Sequence, residues 1–217
     1  MKVGTDGVLI GAWAKGGQRI LDVGTGSGLI ALMMAQRFPK ARVDAIDIDT
    51  NACSQAEENV SNSPFANQVK VRCVAVQQLA SYEDYQGVYD AVVCNPPFFE
   101  NALKAPVKSR SVARHNDTLP FQQLFSSVAR LLDKQGVLSL IIPSEYKGRI
   151  IEEAFLAGFF NTRECAVKTT PKKNPRRFLL EFSLNPKQIF EKEEQLLEIS
   201  HGQRSPWYDK LTMDFYL

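Results

Sequence analysis

Short runs of apolar residues alternate along the chain with longer stretches whose apolar positions recur every three or four residues. The runs at 19–23, 89–94 and 136–142 are mainly apolar, that at 42–48 alternates and is β-branched, and that at 69–76 is strand-like, which together predict the strands of a sheet. Residues 28–38 carry Leu29, Leu32, Met33 and Gln36 at helical spacing and stop at Pro39. A short apolar helix is expected at 8–14, ahead of the Gly16-Gly17 break, and a polar one at 51–60. Asp117 or Thr118 can cap a helix with Phe121, Leu124, Phe125, Val128 and Leu132 on one face. Ser144 can open another through Ile151, Ala154 and Phe155.

Strands separated by helices of about ten to fifteen residues predict an α/β fold with a doubly wound, mostly parallel sheet. The rhythm breaks at the end. Runs 163–169 and 177–184 are joined by too few residues for a crossover helix, so they are expected to pair as an antiparallel hairpin. That makes a seven-stranded sheet. With no internal repeat and no dividing linker, 1–217 is read as a single domain, 185–217 forming its C-terminal tail.

Composition narrows the class without naming a function. The 217 residues are 44% hydrophobic and 23% charged, an ordinary globular mixture that excludes disordered, collagen-like and coiled-coil chains. No run approaches the roughly 18 apolar residues of a membrane span, and no basic-then-apolar leader is visible, so a cytoplasmic protein is expected. Cys53, Cys73, Cys94 and Cys165 lack Cys-x-x-Cys spacing and sit in or beside apolar segments, as buried thiols rather than metal ligands. The formal charge is only +2. Its distribution is uneven: Lys104, Lys108, Arg110 and Arg114 share one acid-free segment, and Lys168, Lys172, Lys173, Arg176 and Arg177 another. Two such segments are either solvated loops or a positive face for a polyanion.

The candidate chemistry begins at Leu21-Asp22-Val23-Gly24-Thr25-Gly26-Ser27-Gly28, a turn between a strand and a helix, where a doubly wound sheet binds nucleotide-like ligands. Asp47, ending the second strand, is placed to accept hydrogen bonds from ribose hydroxyls. A dinucleotide site needs Gly-x-Gly-x-x-Gly, but here the third position of that pattern is Leu29. The spacing suits a ligand without pyrophosphate, such as S-adenosylmethionine. A purely structural turn is the alternative.

Asn95-Pro96-Pro97-Phe98 follows the fourth strand. This motif, with the glycine turn and Asp47 ahead of it, resembles class I methyltransferases that modify amide or exocyclic ring nitrogens. In such chemistry the amine lone pair is delocalised and poorly nucleophilic. Two acceptors, the Asn95 side-chain oxygen and the Pro96 carbonyl, would hold both N–H groups and free the lone pair for a sulfonium methyl group. Pro96 and Pro97 would fix their geometry in advance, and Phe98 would stack on a flipped base. No metal is called for.

The segment from Met1 to Trp13, residues 110–115, the basic hairpin and the tail ending Met213-Asp214-Phe215-Tyr216-Leu217 are together similar to bacterial tRNA1(Val) adenine-N6 methyltransferases. The resemblance spans essentially the whole chain. It implies N6 methylation of the adenosine 3′ of the anticodon, with S-adenosyl-L-methionine as donor and S-adenosyl-L-homocysteine as product. It assigns Asp22, Gly24, Thr25, Gly26, Gly28, Asp47, Ala75 and Asn95 to the cofactor, and Lys108, Arg110, Arg114, Lys172, Lys173, Arg176 and Arg177 to RNA phosphates. It implies tRNA as partner, with no membrane and no obligate protein partner. Residues 1–16 would form a lid, shortened because relatives carry an aromatic-rich stretch ahead of Met1. Ala75 stands where a carboxylate often meets the cofactor adenine, leaving backbone groups or Gln77 to serve. Thr5 and Asp6 are either a helix cap or neighbours of the cofactor's methionine end. Glutamine-N5 and guanine-N2 methylation, and an RNA-binding module without cofactor, are the competing readings.

Overall fold

The structure, a computed structural model, describes residues 4–97, 121–186 and 189–216. Strands β1 (Arg19–Val23), β2 (Arg42–Asp47), β3 (Val69–Cys73), β4 (Tyr89–Cys94) and β5 (Leu132–Pro143) run parallel to one another. β6 (Phe160–Lys168) and β7 (Arg177–Ser183) form the expected antiparallel hairpin, and β7 inserts between β5 and β6. The order across the sheet is β3-β2-β1-β4-β5-β7-β6-β8.

The eighth strand corrects the expectation of seven. β8 (Glu191–Leu196) lies in the C-terminal segment and pairs parallel to β6. Its sequence, Glu-Lys-Glu-Glu-Gln-Leu, has no apolar alternation, so hydrophobic patterning could not reveal it. It is held by the backbone ladder and by the ion pairs Arg163–Glu193 (3.4 Å) and Lys168–Glu194 (2.6 Å). Charge on an edge strand also deters pairing with other chains. Beyond it come the short pair β9 (Glu198–Ser200) and β10 (Gln203–Arg204), then a helix at Pro206–Thr212 whose N-cap Ser205 accepts from Tyr208 N–H at 3.0 Å.

Helices cover both faces. On one, α1 (Thr5–Trp13), α2 (Leu29–Arg37), α3 (Thr50–Ser61) and the C-terminal helix bury Ile10, Met34, Val60 and Tyr208 against Ile20, Val43 and Val93. On the other, α4 (Val76–Leu79), α5 (Phe121–Leu131) and α6 (Lys147–Leu156) bury Leu79, Phe125 and Ile150 against Leu21, Val92 and Leu140. Successive strand residues face opposite layers, which is why the central strands β1, β4 and β5 read as mainly apolar runs, while β2 and the edge strand β3 alternate with Asp44, Lys70 and Arg72. Phe125 is fully buried with ring centroids 5.7 Å from both Phe159 and Phe182, so truncating it to Ala would cost about 3–5 kcal/mol.

Two local outcomes bear on the site. The run expected as a strand over 69–76 ends at Cys73: Val74 N–H reaches Asp47 O, and from Ala75 the chain turns into α4. At α1, Gly7 and Gly11 let the helix lie close on α2. A Cβ on Gly7 would meet Leu29 Cδ2 at 3.1 Å, and one on Gly11 would meet Met33 Sδ at 2.7 Å. Arg37 Nη1 then caps the far end of α1 through the carbonyls of Gly11 (2.8 Å) and Ala14 (2.7 Å).

Candidate active site

Register brings the sequence motifs to one edge of the sheet. Val23 lies opposite Ile46 on β2 and Cys94 on β4, so Gly24, Asp47 and Asn95 emerge side by side at the carboxyl ends of three adjacent strands. Cys73 lies opposite Asp47, which puts Val74 and Ala75 on the same edge. This is the crevice where parallel α/β sheets take their ligands.

The glycine turn is built by its own hydrogen bonds. Gly24 and Thr25 N–H both donate to Ile46 O at 2.9 Å, Gly28 N–H to Thr25 O at 2.9 Å, and Gly26 N–H to Asp47 Oδ2 at 2.9 Å. Gly24, Gly26 and Gly28 take φ of +72°, +57° and +82°, the left-handed region that side chains with a Cβ resist. A Cβ on Gly24 would meet no atom within 4 Å, so this position is reserved by backbone angle and opens onto free space. Four of the five N–H groups from Gly24 to Gly28 are thereby spent inside the protein. A phosphate cradle needs such groups free, so the turn suits a ligand bound by its ribose and uncharged edges better than a pyrophosphate.

Two carboxylates frame the turn. Asp47 uses one oxygen for Gly26 and the other for Asp49 N–H at 3.0 Å, which fixes its direction at the end of β2. Asp22 is fully buried under the turn. Its Oδ2 accepts from Thr25 Oγ1 (2.6 Å) and Ala31 N–H (3.1 Å), while Oδ1 has no partner among the described residues. Burial pushes its carboxyl up to about 7, the two hydrogen bonds offsetting only part of the cost. An orphaned, buried carboxylate oxygen beneath the turn fits a ligand with a cationic group.

Asn95 is half-buried at the end of β4, Pro96 buried and Pro97 exposed, while Phe98, Lys108, Arg110 and Arg114 lie outside the described residues. Ala75 is the N-cap of α4 with extended backbone angles, and Gln77 Nε2 donates to Gln123 Oε1 at 2.9 Å across to α5. Lys172, Lys173 and Arg176 are exposed between β6 and β7. Arg177 instead donates from Nε to Asp6 Oδ2 at 2.8 Å. Neither Thr5 nor Asp6 is a helix cap: Gly4 takes that position, with no side-chain bond. Among the described residues no three His, Cys, Asp or Glu side chains gather as a metal site. Cys53, Cys94 and Cys165 are buried, whereas Cys73, expected to be buried too, is exposed because it ends the edge strand β3.

One supporting residue carried no sequence signal. Asn59, on the polar face of α3, donates from Nδ2 to Ser27 O at 2.8 Å and pins the glycine turn from outside.

The profile of a family described as methyltransferase small domain matches residues 4–171. The chain belongs to the methyltransferase small domain family. It is 43% identical over 220 residues to a tRNA1(Val) (adenine(37)-N6)-methyltransferase of Bacteroides thetaiotaomicron, covering 100% of this chain and 91% of that one. A protein of the same description from Trichodesmium erythraeum is 43% identical over 222 residues, with the same coverage. Among solved structures, a predicted O-methyltransferase from Agrobacterium tumefaciens has a TM-score of 0.77 at 18% identity, covering 96% of each chain. The glycopeptide N-methyltransferase MtfA, solved with S-adenosyl-L-methionine, has a TM-score of 0.61 at 11% identity, covering 83% of this chain and 95% of that one. In this methyltransferase small domain chain, the shared fold therefore extends past residue 171 through the hairpin and the C-terminal segment.

Proposed function

We propose that this chain transfers a methyl group from S-adenosyl-L-methionine to the N6 amino group of an adenosine in tRNA, the one 3′ of the anticodon of tRNA1(Val). The observation that carries the reading is the convergence of the glycine turn, Asp47 and Asn95-Pro96-Pro97 on one sheet edge, in a chain whose full-length relatives bear that description. S-adenosylmethionine would supply a methyl group already activated on a sulfonium. Asp47 would take the ribose hydroxyls, the backbone from Val74 to Ala75 would line the adenine, and buried Asp22 would face the positive end. Asn95 Oδ1 and Pro96 O would accept the two N6–H bonds, leaving the lone pair directed at the methyl carbon. Transfer would exchange the donor's carbon–sulfur bond for a nitrogen–carbon bond, and the nitrogen's surplus proton would pass to solvent. The rate gain comes from placement and preorganised acceptors. Exposed Lys172, Lys173 and Arg176 would hold phosphates without reading sequence.

Asn95→Ala tests the assignment. Calorimetry should show donor affinity close to wild type, while transfer to tRNA falls at least about 100-fold, the scale for losing one preorganised polar group. Nucleoside mass spectrometry of the wild-type reaction should show N6-methyladenosine. Wild-type turnover in the variant removes Asn95 from the reaction. A methylated guanosine, or label in protein rather than RNA, overturns the adenosine assignment.

A further inference from the structure

Arg177 behaves differently from the cations beside it. Lys172, Lys173 and Arg176 project into solvent, but Arg177 reaches back across the chain to Asp6 at 2.8 Å. Its backbone lies opposite Pro143 of β5 and Val167 of β6, at the carboxyl end of the sheet and the root of the basic hairpin. Asp6 lies in the first turn of α1, a turn whose N-cap, Gly4, makes no side-chain bond to the orphan N–H groups. The next residue, Gly7, packs on Leu29, which directly follows the glycine turn. Beyond the burial of Val8 beside Met33, the first turn of α1 is held at two anchors. One is the start of α2 beside the proposed donor site, the other the hairpin proposed to meet RNA.

The geometry points to Asp6 and Arg177 as a positioning pair that keeps the first turn of α1 ordered against the glycine turn, so that donor affinity depends on the root of the RNA-binding hairpin. This rests on the donor site proposed above and gives Arg177 an intramolecular partner in place of a phosphate. The physical argument is one of populations. A first turn without a side-chain cap frays when its tie is cut, and a site competent for only a fraction of the time binds its ligand more weakly by that fraction. At saturating donor the turn is ordered again, so the effect falls on affinity and leaves turnover alone.

The test compares Asp6→Asn, Arg177→Met and the double exchange Asp6→Arg with Arg177→Asp, each checked by thermal melting. S-adenosylmethionine binding is read by calorimetry and transfer by steady-state kinetics on tRNA. Each single change should raise the donor Kd and KM about fivefold, the scale of a half-exposed ion pair, with kcat near wild type. The exchange should recover most of that loss, which no phosphate-binding role for Arg177 would produce. The proposal is overturned if Asp6→Asn, which preserves the shape of the site, leaves the donor Kd within about 1.5-fold. It is also overturned if Arg177→Met alone lowers the salt dependence of tRNA binding by about one counterion while Asp6→Asn has no effect. A wild-type protein that binds no donor would instead refute the function proposed above, a result separate from either outcome.

Discussion

Asp22→Asn should change how stability responds to pH, and the structure sets the size of the effect. The wild-type carboxyl titrates near 7 when folded and near 3.8 when the chain is unfolded, because burial disfavours its charged form. The folded state thus holds this proton more tightly. Below pH 3.8 the group costs nothing; the cost grows as pH rises toward 7 and is complete above it. At about 1.4 kcal/mol per pH unit, the full penalty is about 4 kcal/mol, and the part that develops between pH 5 and pH 8 is about 3 kcal/mol. Asn does not titrate, and its oxygen can still accept from Thr25 and Ala31, so the variant serves as an internal reference. Urea unfolding of both proteins at pH 5, 6, 7 and 8 should show wild type losing about 3 kcal/mol relative to the variant across that range. A difference that stays flat to within about 0.5 kcal/mol would refute the claim that Asp22 is held partly protonated under the turn.

Three further outcomes follow from the site. Gly24→Ala meets no steric obstacle, so its cost is backbone strain at φ +72°, about 1–2 kcal/mol, and should lower Tm by about 3–6 °C in a melting scan. Asp47→Ala removes the acceptor for Gly26 N–H and the proposed ribose contact; calorimetry should show donor affinity down by about tenfold or more. Reversing Lys172, Lys173 and Arg176 to Glu should weaken tRNA binding and reduce the slope of log K against log salt by about 2 or more, while donor affinity holds. An unchanged slope would leave those cations as solvated side chains.

The apolar runs and the glycine and proline signals made the doubly wound core legible, because buried parallel strands need continuous hydrophobic segments and tight turns need Gly. Two kinds of feature escaped that logic. β8 is stabilised by backbone ladders and half-buried ion pairs, neither of which leaves a hydrophobic period. Asn59 and Arg177 act through single long-range bonds, and nothing local distinguishes a surface Asn or Arg that finds a partner from one that faces water. In the sequence Arg177 is indistinguishable from its basic neighbours for that reason. Cys73 read as one more buried thiol, yet it ends an edge strand and is exposed.

Local chemistry along the chain was enough to pick out the candidate groups: glycines for φ above zero, a carboxylate ending β2, an amide followed by two prolines after β4. Only the three-dimensional register decided that these groups share one edge. Strand pairing joins residues far apart in sequence, and its alignment depends on the packing of every helix against the sheet. The same holds for the unpartnered oxygen of Asp22 and the bridge from Asp6 to Arg177. Burial and long-range pairing are properties of the folded whole, set by what the rest of the chain brings near.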